Sequence, residues 1–353
     1  MHPAQPAAAR APAFPGGGAS AMIPARDGGR HRAEAAMRDG GDNRGSGLPA
    51  TFRPVRGGGA VQQRLFDPAL KQFAEAFRPS DPRFPDPAAD EAWRAARRAA
   101  LDVVLAAVAG NGRADAPVLR GSVLLRTWYG AAAREPGDLD FVVPGDCDPH
   151  GSRTAALLDA VADGAEAAST GAVRFAARDA VSEDIWTYER VPGRRLVLPW
   201  EAEGTPGGVV QLDFVFGEYL PVPAEPVRLD PLSGTGTGVT LPAVTPELSL
   251  AWKLLWLVTD MYPQAKDLFD AVVLAENCTL GRELLRDVLV DSDPYYASHE
   301  VTAAMVDEAA AAVDWRSFDT EHGGLRATAG DLAARLNAAL APTFAVADPS
   351  DAV

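Results

Sequence analysis

The chain has 353 residues, and its 48 acidic and 33 basic side chains give a formal net charge of −15. This charge excludes a uniformly basic, nucleic-acid-coating surface, although it does not exclude a local basic face. Hydrophobic residues make up 47% of the chain, enough for a substantial core. No apolar run approaches the roughly 18 residues of a membrane span. With only Cys147 and Cys278, a disulfide framework is excluded, and we expect a cytoplasmic protein.

The first 60 residues are rich in Ala, Gly, Pro and Arg and contain almost nothing that could be buried at a regular period. This composition predicts a disordered tail. The tail holds eight arginines and four acids, so its charge is +4 and that of the remaining chain is −19. Translation from Met22 or Met37 is an alternative to a start at the first residue.

Beyond residue 60, apolar periodicity predicts helices and then strands. Four residues recur at helical spacing: Phe66, Leu70, Phe73 and Phe77. Asp90 is expected to cap a helix that runs over 92–109. Further helices are predicted at 123–129 and 153–161. Strands are predicted at 139–143, 173–176, 184–190, 195–198 and 209–216, with a hairpin turn at Pro192-Gly193.

The sequence after Pro246 is predicted to be helical, over 247–259, 264–275, 282–289, 300–313 and 325–340. Helices, a small mixed sheet and a helical C-terminal half indicate an α+β fold and not a doubly wound sheet. The predicted domains are a tail over 1–60, a catalytic module over 61–245, a helical domain over 246–342 and a flexible tail over 343–353.

Two carboxylates, Asp138 and Asp140, lie one residue apart at the start of a predicted strand. Because side chains alternate along a strand, both face the same side. Two unpaired carboxylates at this distance repel each other, and a bound divalent cation relieves the repulsion. Oxygen ligands that leave room for water and phosphate suit Mg²⁺. Alone, however, the D-x-D pattern more often marks a solvated strand edge.

Two further features favour a catalytic site. Gly121-Ser122 begins a predicted helix, whose free N–H groups can bind phosphate; an ordinary serine cap is the alternative. Asp213 lies within an apolar strand, where a charge is costly unless it is paired or bound to metal. Three carboxylates and a phosphate-binding helix start together predict a two-metal nucleotidyl-transfer site, with Asp138, Asp140 and Asp213 as ligands.

An ordered set of motifs runs through the chain: Leu119-Arg120-Gly121-Ser122, Tyr129-Gly130, Arg134, Asp138-Leu139-Asp140-Phe141, the segment from Leu212 to Glu218, Ala251-Trp252-Lys253-Leu254 and Lys266-Asp267-Leu268-Phe269-Asp270. This set resembles the AbiEii/AbiGii toxin family of the DNA-polymerase-β-like nucleotidyltransferase superfamily. Trp252 departs from the family's usual Glu, and Ser122 from its commoner Gly. The resemblance implies a nucleotidyltransferase-type small mixed sheet flanked by helices, followed by a helical domain.

The resemblance also implies roles for residues outside the carboxylate set. Lys253 would contact the triphosphate or the base, and Arg134 would stabilise the leaving pyrophosphate. Asp267 would complete the active site as a proton acceptor, supported by Lys266. From the residues alone, a surface salt bridge of Lys266 is the simpler interpretation. Trp252 and Trp256 are expected to pack in the core, with base stacking as the alternative.

The expected activity is Mg²⁺-dependent transfer of a nucleoside monophosphate from an NTP to a hydroxyl. The resemblance implies an RNA acceptor such as the tRNA 3′ end, action as a toxin, and a cognate antitoxin. Alternatives are a small-molecule or protein acceptor, or a non-catalytic NTP-binding module. Nine arginines could form a local basic path for RNA: Arg113, Arg120, Arg126, Arg134, Arg174, Arg178, Arg190, Arg194 and Arg195.

Overall fold

The protein is described here by a computed structural model, which covers residues 47–110, 116–187, 191–322, 325 and 328–345. Eight strands form a mixed sheet in the order β5-β7-β8-β4-β3-β10-β9, and β6 pairs with residues 191–197 of β7. These strands are β3 (Val118–Arg120), β4 (Leu139–Val143), β5 (Arg174–Phe175), β6 (Val181–Thr187), β7 (Val191–Ala202), β8 (Thr205–Phe216), β9 (Glu225–Leu229) and β10 (Val239–Ala243). The α+β prediction is confirmed.

Helices cover the sheet and build the C-terminal half. They are α1 (Pro87–Gly110), α2 (Ser122–Tyr129), α3 (Ser152–Ala167), α4 (Pro246–Thr259), α5 (Ala265–Ala275), α6 (Arg282–Ser292), α7 (Ala303–Ala312), α8 (Trp315–His322) and α9 (Ala329–Phe344). The helical half begins where the Thr245 side chain accepts a hydrogen bond from the Leu248 N–H and Pro246 occupies the first turn. Within the described ranges, no helix is both long and apolar enough to cross a membrane.

The centre of the sheet is the parallel pair β4 and β8, whose register positions the candidate site. Phe141 lies opposite Phe214, and Asp140 lies opposite Asp213. The two phenylalanine rings stack with their centroids 5.3 Å apart and are fully buried. Because side chains alternate along each strand, burial of the phenylalanines directs both aspartates to the other face of the sheet.

The prediction of a helix from the spacing of Phe66 to Phe77 is wrong. A two-stranded antiparallel ribbon occupies this region, with β1 (Arg64–Phe66) paired to β2 (Phe77–Pro79). A short 3₁₀ turn begins at Pro68, and the Asp67 side chain accepts a hydrogen bond from the Ala69 N–H at the start of that turn. Local capping and pairing therefore override an apolar spacing that fits either structure.

The turn predicted at Pro192-Gly193 is also wrong, because both residues lie inside β7. A Cβ added at Gly193 would lie 2.8 Å from the Phe214 carbonyl oxygen, so close packing of neighbouring strands accounts for the glycine. The connection between β6 and β7 lies outside the described residues. Strands β3, β9 and β10 and helix α8 were not among the predicted elements.

The predicted tail over residues 1–60 differs from the structure at its C-terminal end. Residues 47–60 belong to the described part of the chain, and Thr51 is buried. The Glu183 carboxylate on β6 accepts hydrogen bonds from the Thr51 backbone N–H at 3.0 Å and from its hydroxyl at 2.6 Å. This part therefore packs against the sheet. Residues 1–46 and 346–353, which the tail predictions also cover, lie outside the described residues.

Candidate active site

Three aspartates lie close together on the sheet face opposite the buried phenylalanines Phe141 and Phe214. Asp138 immediately precedes β4, Asp140 lies within it, and Asp213 lies beside Asp140 on β8. All three line one pocket, which we call the carboxylate pocket. The structure thus brings together the three carboxylates that the sequence predicted as a set.

The electrostatic environment separates Asp138 from Asp140. Burial, together with the negative charges of Asp138 and Asp213, raises the pKa of Asp140 to about 7. Burial also acts to raise the pKa of Asp138, but the positive charges of Lys266 and Arg134 outweigh it and hold that pKa below its ordinary value. Ionisation of Asp140 therefore opposes folding increasingly as the pH rises from about 4 through about 7.

The third carboxylate is already paired with a cation. Arg195, directly opposite Asp213 on the neighbouring strand β7, donates from Nε to Oδ1 and from Nη2 to Oδ2, each at 2.8 Å. Its Nη1 donates to the Asp67 carboxylate at 2.6 Å. A bidentate guanidinium pair of this kind neutralises and orients Asp213. This pairing differs from the predicted role of Asp213 as a metal ligand.

The donor set fits one divalent cation better than two. In the part of the chain that the structure describes, no three His, Cys, Asp or Glu side chains are grouped to hold a metal ion. Asp138 and Asp140 nevertheless offer two adjacent carboxylates with unbalanced negative charge. Mg²⁺ commonly binds through one or two carboxylates and completes its coordination with substrate phosphates and water. The pair therefore suits a cation that arrives with, or is completed by, a phosphate ligand.

Gly121 allows helix α2 to begin against the carboxylate pair. Its φ is +84°, which an L side chain rarely adopts, and an added Cβ would overlap the Asp140 carboxylate. The next residue, Ser122, is 1% exposed, and its Oγ has no hydrogen-bond partner among the described residues. An unpaired buried hydroxyl is costly, so this position suits a ligand with acceptor oxygens, such as a phosphate.

Lys266, in the first turn of α5, supplies positive charge to the carboxylate pocket. It is half-buried, lines the pocket and has no ion-pair partner within the described ranges. Among the cations that lower the pKa of Asp138, it has the largest effect. Its ammonium group is therefore available to bind a phosphate beside Asp138, which agrees with the nucleotide-binding role predicted from the sequence.

The structure places Lys253 and Asp267 beneath the site. The Lys253 Nζ lies 2.6 Å from the Asp267 Oδ1 and 3.0 Å from the Asp270 Oδ2, and all three residues are buried. Arg134 donates to both Asp270 oxygens at 3.0 Å. Neither Lys253 nor Asp267 lines the carboxylate pocket. These four residues, Arg134, Lys253, Asp267 and Asp270, form a neutral network that we call the buried ion-pair network.

Asp270 is the member of this network to which the sequence assigned no role. It is 0% exposed, and although burial acts to raise its pKa, Arg134 and Lys253 lower that pKa to about 2. Its carboxylate joins Arg134, which lies just before Asp138 in the chain, to helices α4 and α5. The network thereby fixes Arg134 and the start of α5, which carries Lys266, relative to the sheet.

Trp252 and Trp256 pack in the core, as expected. They are 2% and 6% exposed, and the Arg120 guanidinium lies 5.5 Å and 5.2 Å from the two ring centroids. Arg120 also pairs with Glu218, which follows β8. This cation–π stack joins strand β3 to helix α4.

Comparison with known proteins identifies the family. Residues 103–342 match the family described as nucleotidyl transferase AbiEii toxin, Type IV TA system. The chain belongs to the AbiEii family. It is therefore a nucleotidyltransferase toxin of a type IV toxin–antitoxin system, and the family implies an NTP substrate and an antitoxin partner. A comparison with curated proteins found no match.

The AbiEii assignment agrees with the overall fold. The structure is similar to that of MenT4, a nucleotidyltransferase toxin from Mycobacterium tuberculosis H37Rv, with a TM-score of 0.51 and 21% sequence identity. The likeness covers 74% of this chain and 87% of MenT4. Residues 47–102, which we call the N-terminal segment, precede the matched family region. They nevertheless contribute Asp67 and Arg78 to the carboxylate pocket.

Arg78 is a site residue that the sequence did not reveal. Its guanidinium lies in the carboxylate pocket and is held by the Glu321 carboxylate of α8, with Nη2 to Oε2 at 2.7 Å. Its position follows from the β1–β2 ribbon, which the sequence predicted as a helix. The recurring Arg and Asp residues of the N-terminal segment indicate that it could contribute charged side chains to a site. Only the tertiary contacts show which of these residues reach the carboxylate pocket.

Gly121→Ala is expected to lower the free energy of unfolding by about 2 kcal/mol or more, since it combines an unfavourable φ with overlap of the Asp140 carboxylate. The matched control is Gly130→Ala, at a glycine with φ of +53° whose added Cβ would meet nothing within 4 Å. Urea unfolding of both variants separates the two effects. Equal losses in the two variants would show that contact with Asp140 is unimportant.

Asp270→Ala is expected to destabilise the fold by about 3–5 kcal/mol, because it leaves buried Arg134 and Lys253 incompletely paired. Glu276→Ala is the control, since it removes an exposed pair with Arg335 at 2.7 Å that is worth about 0–1 kcal/mol. The measurement is urea unfolding monitored by tryptophan fluorescence. A loss at Asp270 no greater than that at Glu276 would contradict the assigned structural role.

Proposed function

We propose that this toxin transfers a nucleoside monophosphate from an NTP to an RNA hydroxyl, with the tRNA 3′ end as acceptor, in a Mg²⁺-dependent reaction. The observation that carries this proposal is the unbalanced pair Asp138 and Asp140 beside the Gly121-Ser122 helix start. A pair of adjacent carboxylates, a helix N-terminus and an unpaired buried hydroxyl together match the groups of a metal–triphosphate substrate.

Each phosphate-binding group has a separate task. Asp138 and Asp140 would hold Mg²⁺, which supplies neutralisation of the phosphate charge. The N–H groups at the start of α2 and the Ser122 hydroxyl bind phosphate oxygens as donors. Lys266 adds a positive charge near Asp138 and stabilises the charge that develops on the leaving pyrophosphate.

Asp213 is suited to orient the acceptor. Arg195 holds its carboxylate beside Asp140, and Oδ1, which accepts from the Arg195 Nε, retains a lone pair that can accept a hydrogen bond from an acceptor hydroxyl. That hydrogen bond would direct the hydroxyl oxygen toward the α-phosphorus. The hydroxyl oxygen attacks the α-phosphorus in line while its proton passes to the Asp213 carboxylate; the new bond to phosphorus forms as the bond to the pyrophosphate oxygen breaks, and pyrophosphate leaves.

Exposed aromatic rings favour RNA over a small acceptor. Phe66 and Trp186 line the carboxylate pocket although they are 41% and 43% exposed. Tyr262 packs edge-on against Phe66 with ring centroids 5.2 Å apart, and the Lys71 ammonium lies 5.9 Å from the Tyr262 centroid. Unstacked bases bind to aromatic faces in this way, whereas a small hydroxylated acceptor needs no such surface.

The predicted arginines are not the source of positive charge beside the exposed aromatic rings. Arg113 and Arg190 lie outside the described residues, and several others are buried in ion pairs or hydrogen bonds: Arg120, Arg134, Arg194 and Arg195. Positive charge near the aromatic rings comes instead from Lys71, Arg78 and Lys266. We propose that RNA approaches over these groups.

The proposal is tested by incubating the protein with each NTP labelled at the α-phosphate, Mg²⁺ and total tRNA. Wild type should label the tRNA, and Asp138→Asn and Asp140→Asn should each reduce the rate by more than about 100-fold through loss of charge stabilisation. Asp230→Asn is the control, since the Asp230 side chain is 91% exposed and remote from the pocket.

Each other outcome contradicts a defined part of the proposal. Label on the protein or on a small molecule would replace the RNA acceptor. Binding of NTP without transfer to any acceptor would contradict the activity. Unchanged transfer by the Asp138 and Asp140 variants would show that the catalytic site lies elsewhere.

A further inference from the structure

A second pocket opens beside the carboxylate pocket, between the β1–β2 ribbon and the C-terminal helices. The two pockets share five residues: Phe66, Pro68, Arg78, Gln264 and Lys266. The walls of the second pocket also contain Met261, Tyr262 and Phe318, which do not line the carboxylate pocket. We call this cavity the Tyr262 pocket. A ligand that binds beside Asp213 can therefore continue directly into it.

Contacts between distant parts of the chain fix the walls of the Tyr262 pocket. The Arg78 Nη2 on β2 donates to the Glu321 Oε2 on helix α8 at 2.7 Å. The Asp314 N–H, just before α8, donates to the Pro263 carbonyl at 3.2 Å. The ribbon, the connection between α4 and α5, and α8 are thus joined around the cavity. The pocket is therefore formed before any ligand binds.

The Tyr262 pocket exposes large apolar side chains to solvent. Phe66 and Tyr262 are each 41% exposed, and Met261 is 67% exposed. Apolar side chains that are exposed together around one pocket are typical of a binding surface. Two aromatic rings and a flexible thioether suit a planar ring such as a nucleobase, which stacks on aromatic side chains.

Polar groups in the pocket favour a nucleobase over a purely apolar ligand. The Gln264 side chain is half-buried, lines both pockets and makes no hydrogen bond to the residues that the structure describes. Its amide offers a donor and an acceptor side by side, which match the polar edge of a base. The two acids in the pocket are already engaged, because Glu321 holds Arg78 and the Asp314 Oδ2 accepts from the Ser317 hydroxyl at 2.6 Å.

Two cations lie where a strand would pass from one pocket to the other. Arg78 and Lys266 line both pockets, and the Arg78 side chain remains 25% exposed although it is paired with Glu321. A phosphodiester that connects two adjacent nucleotides carries a negative charge, and basic side chains bind it. The charge at this boundary therefore indicates a nucleic-acid strand and not an isolated apolar molecule.

We propose that the Tyr262 pocket binds the base of the RNA nucleotide that immediately precedes the acceptor nucleotide. The base packs against Tyr262 and Met261 with its edge toward Gln264, and the connecting phosphate lies beside Arg78 and Lys266. This inference rests on the proposed transfer to RNA. Because the Gln264 amide can rotate to match the edge of any base, the pocket requires a base at this position without selecting one.

Transfer to a synthetic RNA minihelix with a single-stranded 3′ end tests the proposal on the wild-type protein. Replacing the base before the 3′-terminal nucleotide by an abasic ribose should lower kcat/KM at least about tenfold, the loss expected for one stacked base. An abasic ribose in the minihelix loop is the matched control and should have no effect. Equal kcat/KM for the intact and the penultimate abasic RNA would overturn the inference. Absence of transfer to every RNA, intact tRNA included, would instead contradict the proposed function.

Substitutions at Tyr262 locate the effect. Tyr262→Ala should lower kcat/KM for the intact minihelix at least about tenfold and cause no further loss with the abasic RNA. Tyr262→Phe keeps the ring and should retain the wild-type value. Tyr295→Ala is the control, since Tyr295 is 54% exposed and lines neither pocket. Losses from Tyr262→Ala and from the abasic ribose that multiply would show that ring and base act separately, which would overturn the inference.

Binding is measured without transfer by placing 2-aminopurine at the penultimate position of the minihelix, since its fluorescence falls when it stacks on an aromatic ring. In the absence of NTP, wild type and Tyr262→Phe should quench the emission, whereas Tyr262→Ala should not. Equal quenching by all three proteins, or none by wild type at saturating protein, would overturn the inference. This measurement tests the pocket independently of the transfer reaction.

Discussion

The mutual repulsion of Asp138 and Asp140 is the constraint on which the rest of the site depends. The parallel register of β4 and β8 adds Asp213 to the same face, and burial increases the free-energy cost of all three charges. Arg195 neutralises Asp213, whereas the positive charge of Lys266 lowers the pKa of the other two aspartates. The excess negative charge that remains is what a divalent cation and its phosphate ligands would compensate.

Positive charge from three separate parts of the chain surrounds these aspartates. Arg134 and Lys266 are fixed through the buried ion-pair network, and Arg78 comes from the N-terminal segment, which precedes the matched family region. The acidic composition of the chain is therefore compatible with an anionic substrate, because its cations are concentrated where phosphates would bind. The same segment also contributes Asp67, which accepts a hydrogen bond from Arg195, so it takes part in both the cation and the carboxylate arrangement of the pocket.

The sequence revealed those features that depend on local pattern. Local sequence predicts the apolar strands over 139–143 and 209–216, the Asp138–Asp140 pair and the helix start at Gly121-Ser122. The structure contains all of these features. Features that depend on contacts between residues far apart in the sequence could not be predicted from it. The Arg195–Asp213 pair depends on strand register, and the β1–β2 ribbon has an apolar spacing that also fits a helix. The roles predicted for Lys253 and Asp267 assumed exposure to the substrate, which their burial in one network does not provide.

The central claim, that Asp138 and Asp140 form a cation site held together against repulsion, is tested most directly by urea unfolding of wild type and Asp140→Asn at pH 8. In EDTA, the variant should be more stable by at least about 1 kcal/mol, the equivalent of one unit of pKa, because one of the repelling charges is gone. Mg²⁺ with tripolyphosphate should stabilise wild type and have little effect on the variant. A variant that is less stable in EDTA, or that gains as much from Mg²⁺ and tripolyphosphate as wild type does, would contradict the claim.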